Sequence, residues 1–411
     1  MRDRFLGDQL PAHIGLGLAA CAAAATTCHI FLLHHRPIPV VAPAPARDRR
    51  KTARSPRGGP DDPSTLVMSG SASGSSSPYP PDALPGARDV ATPYGNLRVY
   101  EWGPEDGERV LLLHGIGTPC LALGGTAGEF VQRGWRVMTF DFFGRGYSDA
   151  PTDLPYDSRL YTTQILLALA SSPLRGWTGN DAFHLLGYSL GGAVAASFAS
   201  SSPHLVKSLT LIAPGGLIRS AAHVGWRSRL LYNSDLLPEF LRRFLVSRRL
   251  HPAPSRKGDV PEKETVDDAE NAAAAADWDG LQLVGGARIG DVVAWQLGCH
   301  PGYVRSYMST IRHAPIYDRA DEEWKALAGV LEARRREGGG EGGPPGLRKG
   351  RVLFVLGERD EIVVPGETVW DARRVLGEDA VEVLVLKGGH EVGVTKGKEI
   401  VGGVLAAWER E

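Results

Sequence analysis

The 411-residue sequence predicts an α/β protein with a mostly parallel central sheet, helices on both faces of the sheet, and an inserted helical cap. Short apolar runs, which are typical of buried strands, alternate along the chain with longer segments of helical periodicity. Such alternation indicates parallel strands joined by right-handed crossovers. A long interruption of this alternation, at about residues 217–348, predicts the cap.

The composition is ordinary for a globular protein. Hydrophobic residues make up 43% of the chain and charged residues 23%, and the formal net charge is −1. The chain lacks the excess of basic residues that is typical of nucleic-acid-binding proteins, so we expect no nucleic-acid partner. No phosphate-binding or dinucleotide-binding loop is found, and no C-x-x-C metal pair is formed by the four cysteines. We therefore predict neither a cofactor nor a bound metal. The cysteines are Cys21, Cys28, Cys120 and Cys299.

Residues 1–36 form an N-terminal segment in which residues 14–33 are almost wholly apolar or small. This stretch is long enough to cross a bilayer, which takes about 20 residues. Basic residues follow it, so a retained anchor would associate with the membrane and leave the rest of the chain facing the cytoplasm. A cleaved secretory signal and a mitochondrial presequence are the alternatives.

Residues 37–90 are rich in Pro and Arg and then in Ser and Gly, which predicts a disordered linker. We place the folded domain at residues 91–411. Its predicted strands lie at residues 97–102, 109–113, 136–140, 182–186, 207–212, 351–356 and 381–386. The first strand alternates as a half-exposed strand does, and the next is continuously apolar. Helices are predicted at about residues 126–133, 159–170, 192–199, 368–375 and 396–408.

The predicted cap contains two apolar regions at helical spacing, at residues 230–245 and 292–311. A polar, Ala-rich segment at residues 252–279 separates them, and the glycine-rich residues 334–343 predict a surface loop. The aromatic residues of the second region are expected to form the interior of the cap.

The domain is organised around Gly-Tyr-Ser-Leu-Gly at residues 187–191. An apolar strand precedes this pentapeptide and a helix of small residues follows it. A serine on so sharp a strand-to-helix turn is the nucleophile elbow, in which flanking glycines avoid collisions with the neighbouring backbone. The hydroxyl of Ser189 would then stand at the N-terminus of a helix, whose dipole favours developing negative charge.

A serine hydroxyl needs a base to take its proton when it attacks a carbonyl carbon. His390, after the last strand and two glycines, can act as that base near neutral pH. Asp360 follows the preceding strand, where a carboxylate can fix the histidine tautomer and stabilise the imidazolium. Glu358 and Glu361 are the rivals of Asp360 for this position.

These motifs, in the order Ser, Asp, His, resemble the α/β-hydrolase fold family in its cap-bearing esterase and lipase-like branch. The resemblance covers residues 91–411 and is carried by the elbow together with Leu-His-Gly at 113–115, Asp-x-x-Gly-x-Gly-x-Ser at 141–148, Gly-x-x-Asp-x-x-Val-x-Pro at 357–365 and Gly-His at 389–390. It implies a sheet of about eight strands and an oxyanion hole formed by the backbone N–H groups of Ile116 and Leu190. Asp141, Arg145, Ser148 and Asp149 are expected to brace the loop beside it.

The resemblance implies a serine hydrolase that cleaves a carboxylic ester through an acyl-enzyme intermediate. The predicted membrane anchor and apolar cap would suit a lipid-like ester. Serine at the elbow, where epoxide hydrolases and haloalkane dehalogenases carry aspartate, argues against those branches. An amide or carbon–carbon bond hydrolase on the same triad is one alternative, and a catalytically silent binding module on the same fold is another. Neither the substrate nor the oligomeric state follows from the sequence.

Overall fold

A computed structural model of the chain describes residues 52–53, 77–233, 237–252, 280–317, 321–337 and 344–409. The predicted membrane segment at residues 14–33 and most of the predicted linker lie outside these residues. Within the described ranges, no helix combines the length and the apolar character that crossing a bilayer requires.

An eight-stranded sheet forms the centre of the domain, with the strand order β8-β7-β6-β5-β3-β4-β2-β1. The six strands β4, β3, β5, β6, β7 and β8 are adjacent in this order across the sheet, and each pairs in parallel with its neighbours. Strand β2 pairs antiparallel with β1 and β4. The predicted mostly parallel sheet is confirmed. Its strands are β1 (Ala87–Thr92), β2 (Gly95–Trp102), β3 (Arg109–Leu113), β4 (Arg136–Phe140), β5 (Phe183–Tyr188), β6 (Val206–Ile212), β7 (Val352–Gly357) and β8 (Val381–Leu386). A separate two-residue ladder joins Thr52–Ala53 to Ala150–Pro151.

The sequence pattern does not predict strand β1, because the predicted linker extends to residue 90. The folded chain starts earlier, and β1 lacks an apolar run because it is an edge strand that exposes alternate residues. Before it, Tyr79 packs against Trp295 with ring centroids 5.6 Å apart. This aromatic contact with a residue more than two hundred positions away holds the end of the predicted linker on the domain.

Strand β2 also differs from the expectation of a half-exposed strand. All five residues from Leu97 to Glu101 are buried, including the charged side chains of Arg98 and Glu101. Arg98 pairs with Asp89 on β1 at 2.9 Å, and Glu101 pairs with Arg136 on β4 at 3.1 Å. Charge pairing with the two neighbouring strands therefore allows the polar positions of β2 to be buried.

Helices cover both faces of the sheet. Along the chain they are α1 (Gly124–Gln132), α2 (Ser158–Ala170), α3 (Leu190–Ser201), α4 (Glu239–Leu250), α5 (Ile289–Cys299), α6 (Tyr303–His313), α7 (Asp321–Arg336), α8 (Pro365–Leu376) and α9 (Gly397–Glu409). Short helical turns are found at Cys120–Leu123, Arg175–Trp177, Pro203–Leu205, Ser220–His223, Trp226–Ser228, Arg229–Asn233, Glu378–Ala380 and Val392–Thr395. Helix α3 is buried from Leu190 to Ala199, because its small side chains let the strands approach closely.

Helices α4, α5 and α6 belong to the segment inserted between β6 and β7, and we call these three helices the cap. The predicted cap helices within residues 292–311 are thereby located as α5 and α6. Their aromatic residues Trp295, Tyr303 and Tyr307 are buried, as expected of a cap interior. Helix α4 differs from this pattern: Phe240 and Phe244 are 75% and 60% exposed.

The predicted end of the cap, at about residue 348, is too late in the chain, because helix α7 before it belongs to the layer on the sheet. It packs against α3 and α8 on the sheet, and Trp324 stacks on Phe354 of β7 at a centroid distance of 6.4 Å. The predicted surface loop beginning at residue 334 is also displaced, since α7 continues to Arg336. The helix buries the apolar stripe of Trp324, Leu327 and Leu331. Many charged residues lie between these positions in the sequence, so the helical periodicity of the stripe is difficult to recognise there. Residues 338–343 lie outside the described residues.

Candidate active site

Ser189 lies between β5 and α3 on the predicted sharp turn. Its backbone has φ 54° and ψ −118°, a conformation that costs a non-glycine residue about 1–3 kcal/mol. The flanking glycines are required by close backbone contacts. A Cβ atom at Gly187 would lie 2.1 Å from the carbonyl oxygen of Gly191, and one at Gly191 would lie 2.2 Å from that of Leu113. The pentapeptide therefore forms the strained elbow that its sequence predicts.

The three residues predicted as a triad lie in one hydrogen-bonded chain. Nε2 of His390 is 3.0 Å from Oγ of Ser189, and Nδ1 of His390 is 2.9 Å from Oδ2 of Asp360. With Nδ1–H donating to the carboxylate, Nε2 is left to accept the serine proton. Ser189 is half-buried. The geometry suits nucleophilic catalysis, and the catalytic roles themselves stay a prediction.

Further hydrogen bonds hold Asp360 and His390 in place. The second carboxylate oxygen of Asp360 accepts hydrogen bonds from the N–H groups of Ile362 at 2.9 Å and Val363 at 2.8 Å. The hydroxyl of Tyr188 donates to the carbonyl oxygen of His390 at 2.9 Å. The rival acids, Glu358 and Glu361, are both exposed, whereas Asp360 is buried.

Two backbone N–H groups in this region lack a protein acceptor, and their role as oxyanion donors stays a prediction. Residues 114–118, which we call the oxyanion loop, pass next to the nucleophile: a Cβ atom at Gly115 would be 3.5 Å from that of Ser189. Within the described part of the chain, neither Ile116 nor Leu190 donates its N–H to a protein acceptor. Leu190 is the first residue of α3, where helix geometry leaves N–H groups unpaired. These are the two donors that the resemblance implied.

The loop at residues 141–149 braces this region as expected. The carboxylate of Asp141 accepts from the N–H groups of Cys120 and Tyr147, both at 2.9 Å. Oγ of Ser148 donates to the carbonyl oxygen of Asp141 at 2.6 Å, and the carboxylate of Asp149 accepts from the N–H of Asn96 at 2.8 Å. The polar residues of this motif thus stabilise the loop conformation.

Two buried histidines near the site are held neutral. Nδ1 of His114 donates to the carbonyl oxygen of Gly115 at 2.7 Å, and its Nε2 accepts from the N–H of Phe142 at 2.8 Å. Nε2 of His300 donates to the carbonyl oxygen of Ser148 at 2.9 Å, and its Nδ1 accepts from the N–H of Gly302 at 3.2 Å. Burial lowers the pKa of His114 to about 3 and that of His300 to about 4. His300 carries no sequence signal, because its acceptor lies on a distant loop.

These two histidines make the folded domain acid-sensitive. Because their pKa values in the folded protein lie below the ordinary value of about 6.5, the unfolded chain binds their protons first as the pH falls. Their stabilising contribution is therefore present above pH 6.5 and is lost progressively towards pH 4. Each contributes up to about 1.4 kcal/mol of unfolding free energy per pH unit, and Asp141, whose pKa burial raises, opposes this trend.

Urea unfolding between pH 7.5 and pH 4.5 measures this dependence. As the pH falls, we expect the unfolding free energy of His300→Asn to decrease less steeply than that of the wild type. The difference in slope should reach at most the value for one proton bound on unfolding, about 1.4 kcal/mol per pH unit. Equal slopes for the two proteins would show that His300 is not the buried neutral group that its contacts indicate.

Comparison with known proteins establishes the family. A family model described as the alpha/beta hydrolase fold matches residues 108–396 of this chain. The chain belongs to the alpha/beta hydrolase fold family. The resemblance inferred from the motifs is therefore confirmed at the level of the family. Among the described residues of this alpha/beta hydrolase fold protein, no group of three or more His, Cys, Asp or Glu side chains is arranged to hold a metal ion.

The curated relatives match a limited part of the chain. A serine hydrolase-like protein from Danio rerio is 29% identical over 130 residues, which make up 31% of this chain and 38% of that protein. A 2-hydroxy-6-oxo-6-phenylhexa-2,4-dienoate hydrolase from Burkholderia cepacia is 34% identical over 128 residues, or 30% of this chain and 42% of that enzyme. The chain thus spans less than half the length of either relative.

Solved structures share the fold over most of the chain. A membrane phospholipase A, described as a bacterial virulence factor, aligns with a TM-score of 0.51 at 17% identity, covering 79% of this chain and 86% of that one. A carboxylesterase from Bacillus subtilis aligns with a TM-score of 0.50 at 15% identity, covering 78% and 90%. At such low identity the likeness shows the fold alone.

Proposed function

We propose that this protein is a serine hydrolase that cleaves carboxylic esters through an acyl-enzyme intermediate. The observation that carries the proposal is the hydrogen-bonded chain of Ser189, His390 and Asp360, with its two contacts of 3.0 and 2.9 Å. All three members are present with the geometry that nucleophile activation requires, which counts against a silent binding module on the same fold.

The reaction follows from these positions. Oγ of Ser189 attacks the ester carbonyl carbon while Nε2 of His390 takes the hydroxyl proton. The carbonyl oxygen becomes an oxyanion, which the N–H groups of Ile116 and Leu190 stabilise. Collapse of the tetrahedral intermediate breaks the ester C–O bond, and His390 returns the proton to the departing alcohol. Water, activated by His390, then attacks the acyl-serine and releases the carboxylic acid.

A lipid-like ester is the substrate class that we propose. Phe240 and Phe244 stay 75% and 60% exposed on cap helix α4, which also carries four arginines. Exposed aromatic residues, with the exposed Arg248 on the same helix, suit contact with an anionic lipid surface, where such esters reside. Anchoring through residues 14–33, with the catalytic domain facing the cytoplasm, is a further proposal that rests on the sequence alone.

Labelling and turnover test the proposal together. A fluorophosphonate probe, which loses fluoride when an activated serine attacks phosphorus, should label the folded wild type, and peptide mass spectrometry should map the adduct to Ser189. The heat-unfolded protein is the control and should not react. Absence of labelling in folded protein would contradict the proposal and favour the silent module.

The bond and the acyl chain are tested with p-nitrophenyl esters of increasing length and with a matched p-nitroanilide. We expect kcat/KM to rise from acetyl to longer acyl groups, and the anilide to react far more slowly than its ester. Preference for the shortest ester would contradict a lipid-like substrate. Faster cleavage of the anilide would favour an amide hydrolase, and labelling without cleavage of either would favour the carbon–carbon bond alternative.

A further inference from the structure

The cap contacts the oxyanion loop through side-chain hydrogen bonds. The carbonyl oxygen of Gly117 accepts from Nε2 of Gln296 on α5 at 3.1 Å and from the hydroxyl of Tyr303 on α6 at 2.9 Å. The adjacent carbonyl oxygen, that of Ile116, accepts from Nε of Arg145 at 2.6 Å. Three side chains thus hold two consecutive carbonyl groups of the loop that supplies one oxyanion donor.

The side chains that hold the loop are themselves rigidly placed. Gln296, Tyr303 and Arg145 are fully buried, each with 0% exposure. The amide of Gln296 is oriented at both ends, because its Oε1 accepts from the N–H of Gly146 at 2.9 Å while Nε2 donates to Gly117. A buried amide satisfied in this way has one orientation, and so does the loop carbonyl that it binds.

Arg145 connects the oxyanion loop to cap helix α6. Besides binding Ile116, its guanidinium donates to Oγ of Ser306, and it donates to Oγ1 of Thr310 at 3.3 Å. It also lies 5.4 Å from the ring centroid of Tyr303. Across the described ranges no carboxylate pairs with this buried cation, and neutral oxygens satisfy it instead. Its position therefore depends on α6 remaining against the loop.

We propose that Gln296, Tyr303 and Arg145 are positioning residues that set the oxyanion donor of Ile116, so that the hole is complete only when the cap is docked. The carbonyl groups of Ile116 and Gly117 belong to the two peptide planes that follow the Ile116 N–H along the chain. Hydrogen bonds that fix these carbonyl groups therefore fix both planes. That N–H acts on charge that develops in the transition state, so its misplacement lowers kcat more than it alters KM. The inference rests on the proposed serine hydrolase function.

The sharpest test is Tyr303→Phe, which removes one hydroxyl and keeps the ring. The matched control is Tyr156→Phe, because Tyr156 is equally buried and its hydroxyl donates to the carbonyl oxygen of Pro151 at 3.1 Å, away from the oxyanion loop. With a p-nitrophenyl ester, we expect kcat of Tyr303→Phe to fall about 10-fold, with KM within twofold of wild type. The control should retain the wild-type kcat.

A transition-state analogue separates positioning from a general loss of structure. A trifluoromethyl ketone forms a hemiketal oxyanion with an activated serine, so its inhibition constant should rise by the same factor as kcat falls. The unfolding free energies of the two Tyr→Phe variants should be similar. If Tyr303→Phe does not fold, Gln296→Met, which removes the other donor to Gly117, is expected to show the same kcat and inhibition pattern.

The outcomes distinguish this inference from the function on which it rests. If the wild type cleaves esters but Tyr303→Phe and Gln296→Met match the kcat of the control, the positioning role is refuted and the hydrolase stands. A rise in KM with unchanged kcat would also refute it, because the loss would then be in substrate binding. If the wild type neither reacts with the probe nor cleaves an ester, both proposals fall.

Discussion

Replacing Ser189 by alanine is expected to lower kcat by about 10⁴- to 10⁶-fold and to abolish fluorophosphonate labelling. In the proposed mechanism the hydroxyl of Ser189 forms the acyl-enzyme, and it lies 3.0 Å from Nε2 of His390, the proposed base. Alanine keeps the Cβ atom and leaves the turn otherwise unchanged. Steady-state turnover of an ester and gel-based probe labelling measure the loss, and thermal unfolding checks that the variant folds.

The other triad members provide the comparison. His390→Ala should lose a similar factor, and Asp360→Asn should lose about 10⁴-fold, because an amide no longer holds the tautomer that accepts the serine proton. Combining Ser189→Ala with His390→Ala should cost little beyond either change alone, since the residues act as a unit. Turnover by Ser189→Ala at more than about a hundredth of the wild-type rate would assign the chemistry to another residue.

Gly191→Ala is expected to destabilise the fold by about 3 kcal/mol or more, as measured by urea unfolding. The new Cβ atom would lie 2.2 Å from the carbonyl oxygen of Leu113 and 2.7 Å from that of His114. Both contacts are with backbone at the end of β3, so no side-chain rotation relieves them. Either β3 or the elbow must shift, and the shift also displaces the oxyanion loop from Ser189.

Gly402→Ala is the matched control for that prediction. Gly402 is exposed within helix α9, and a Cβ atom there would meet nothing within 4 Å. Alanine at a helical position should stabilise the protein by about 0.5–1 kcal/mol through helix propensity. If both glycine variants proved equally stable, the close approach of the elbow to β3 would not be the reason for glycine at position 191.

The elbow could be predicted because its requirements are local. A strained turn between a strand and a helix needs a small set of residue types at fixed spacing, and Gly187, Ser189 and Gly191 supply them within five positions. The triad order could be predicted for a related reason. Parallel strands bring their carboxyl ends to one edge of the sheet, so residues directly after β7 and β8 meet the elbow although the chain separates them widely.

Strand β1 and helix α7 show where local pattern was insufficient. Ala87–Thr92 has no apolar run, and it is a strand because β2 supplies its ladder partners. The insertion pattern places α7 in the cap, yet Trp324 packs against Phe354 on the sheet. In both elements the deciding contacts are with a strand of the sheet, which directly follows β1 in the chain and comes after α7, and packing overrides local propensity in such cases.

By itself, the sequence determined the family, the strand-and-helix alternation and the residues of the predicted triad, because each of these depends on short-range spacing or on strand order. The tertiary structure alone decided how the cap meets the candidate active site. The hydrogen bonds from Gln296 and Tyr303 to Gly117 join residues 179 and 186 positions apart. Such contacts leave no periodicity or motif in the chain, since they depend on the three-dimensional path of an insertion.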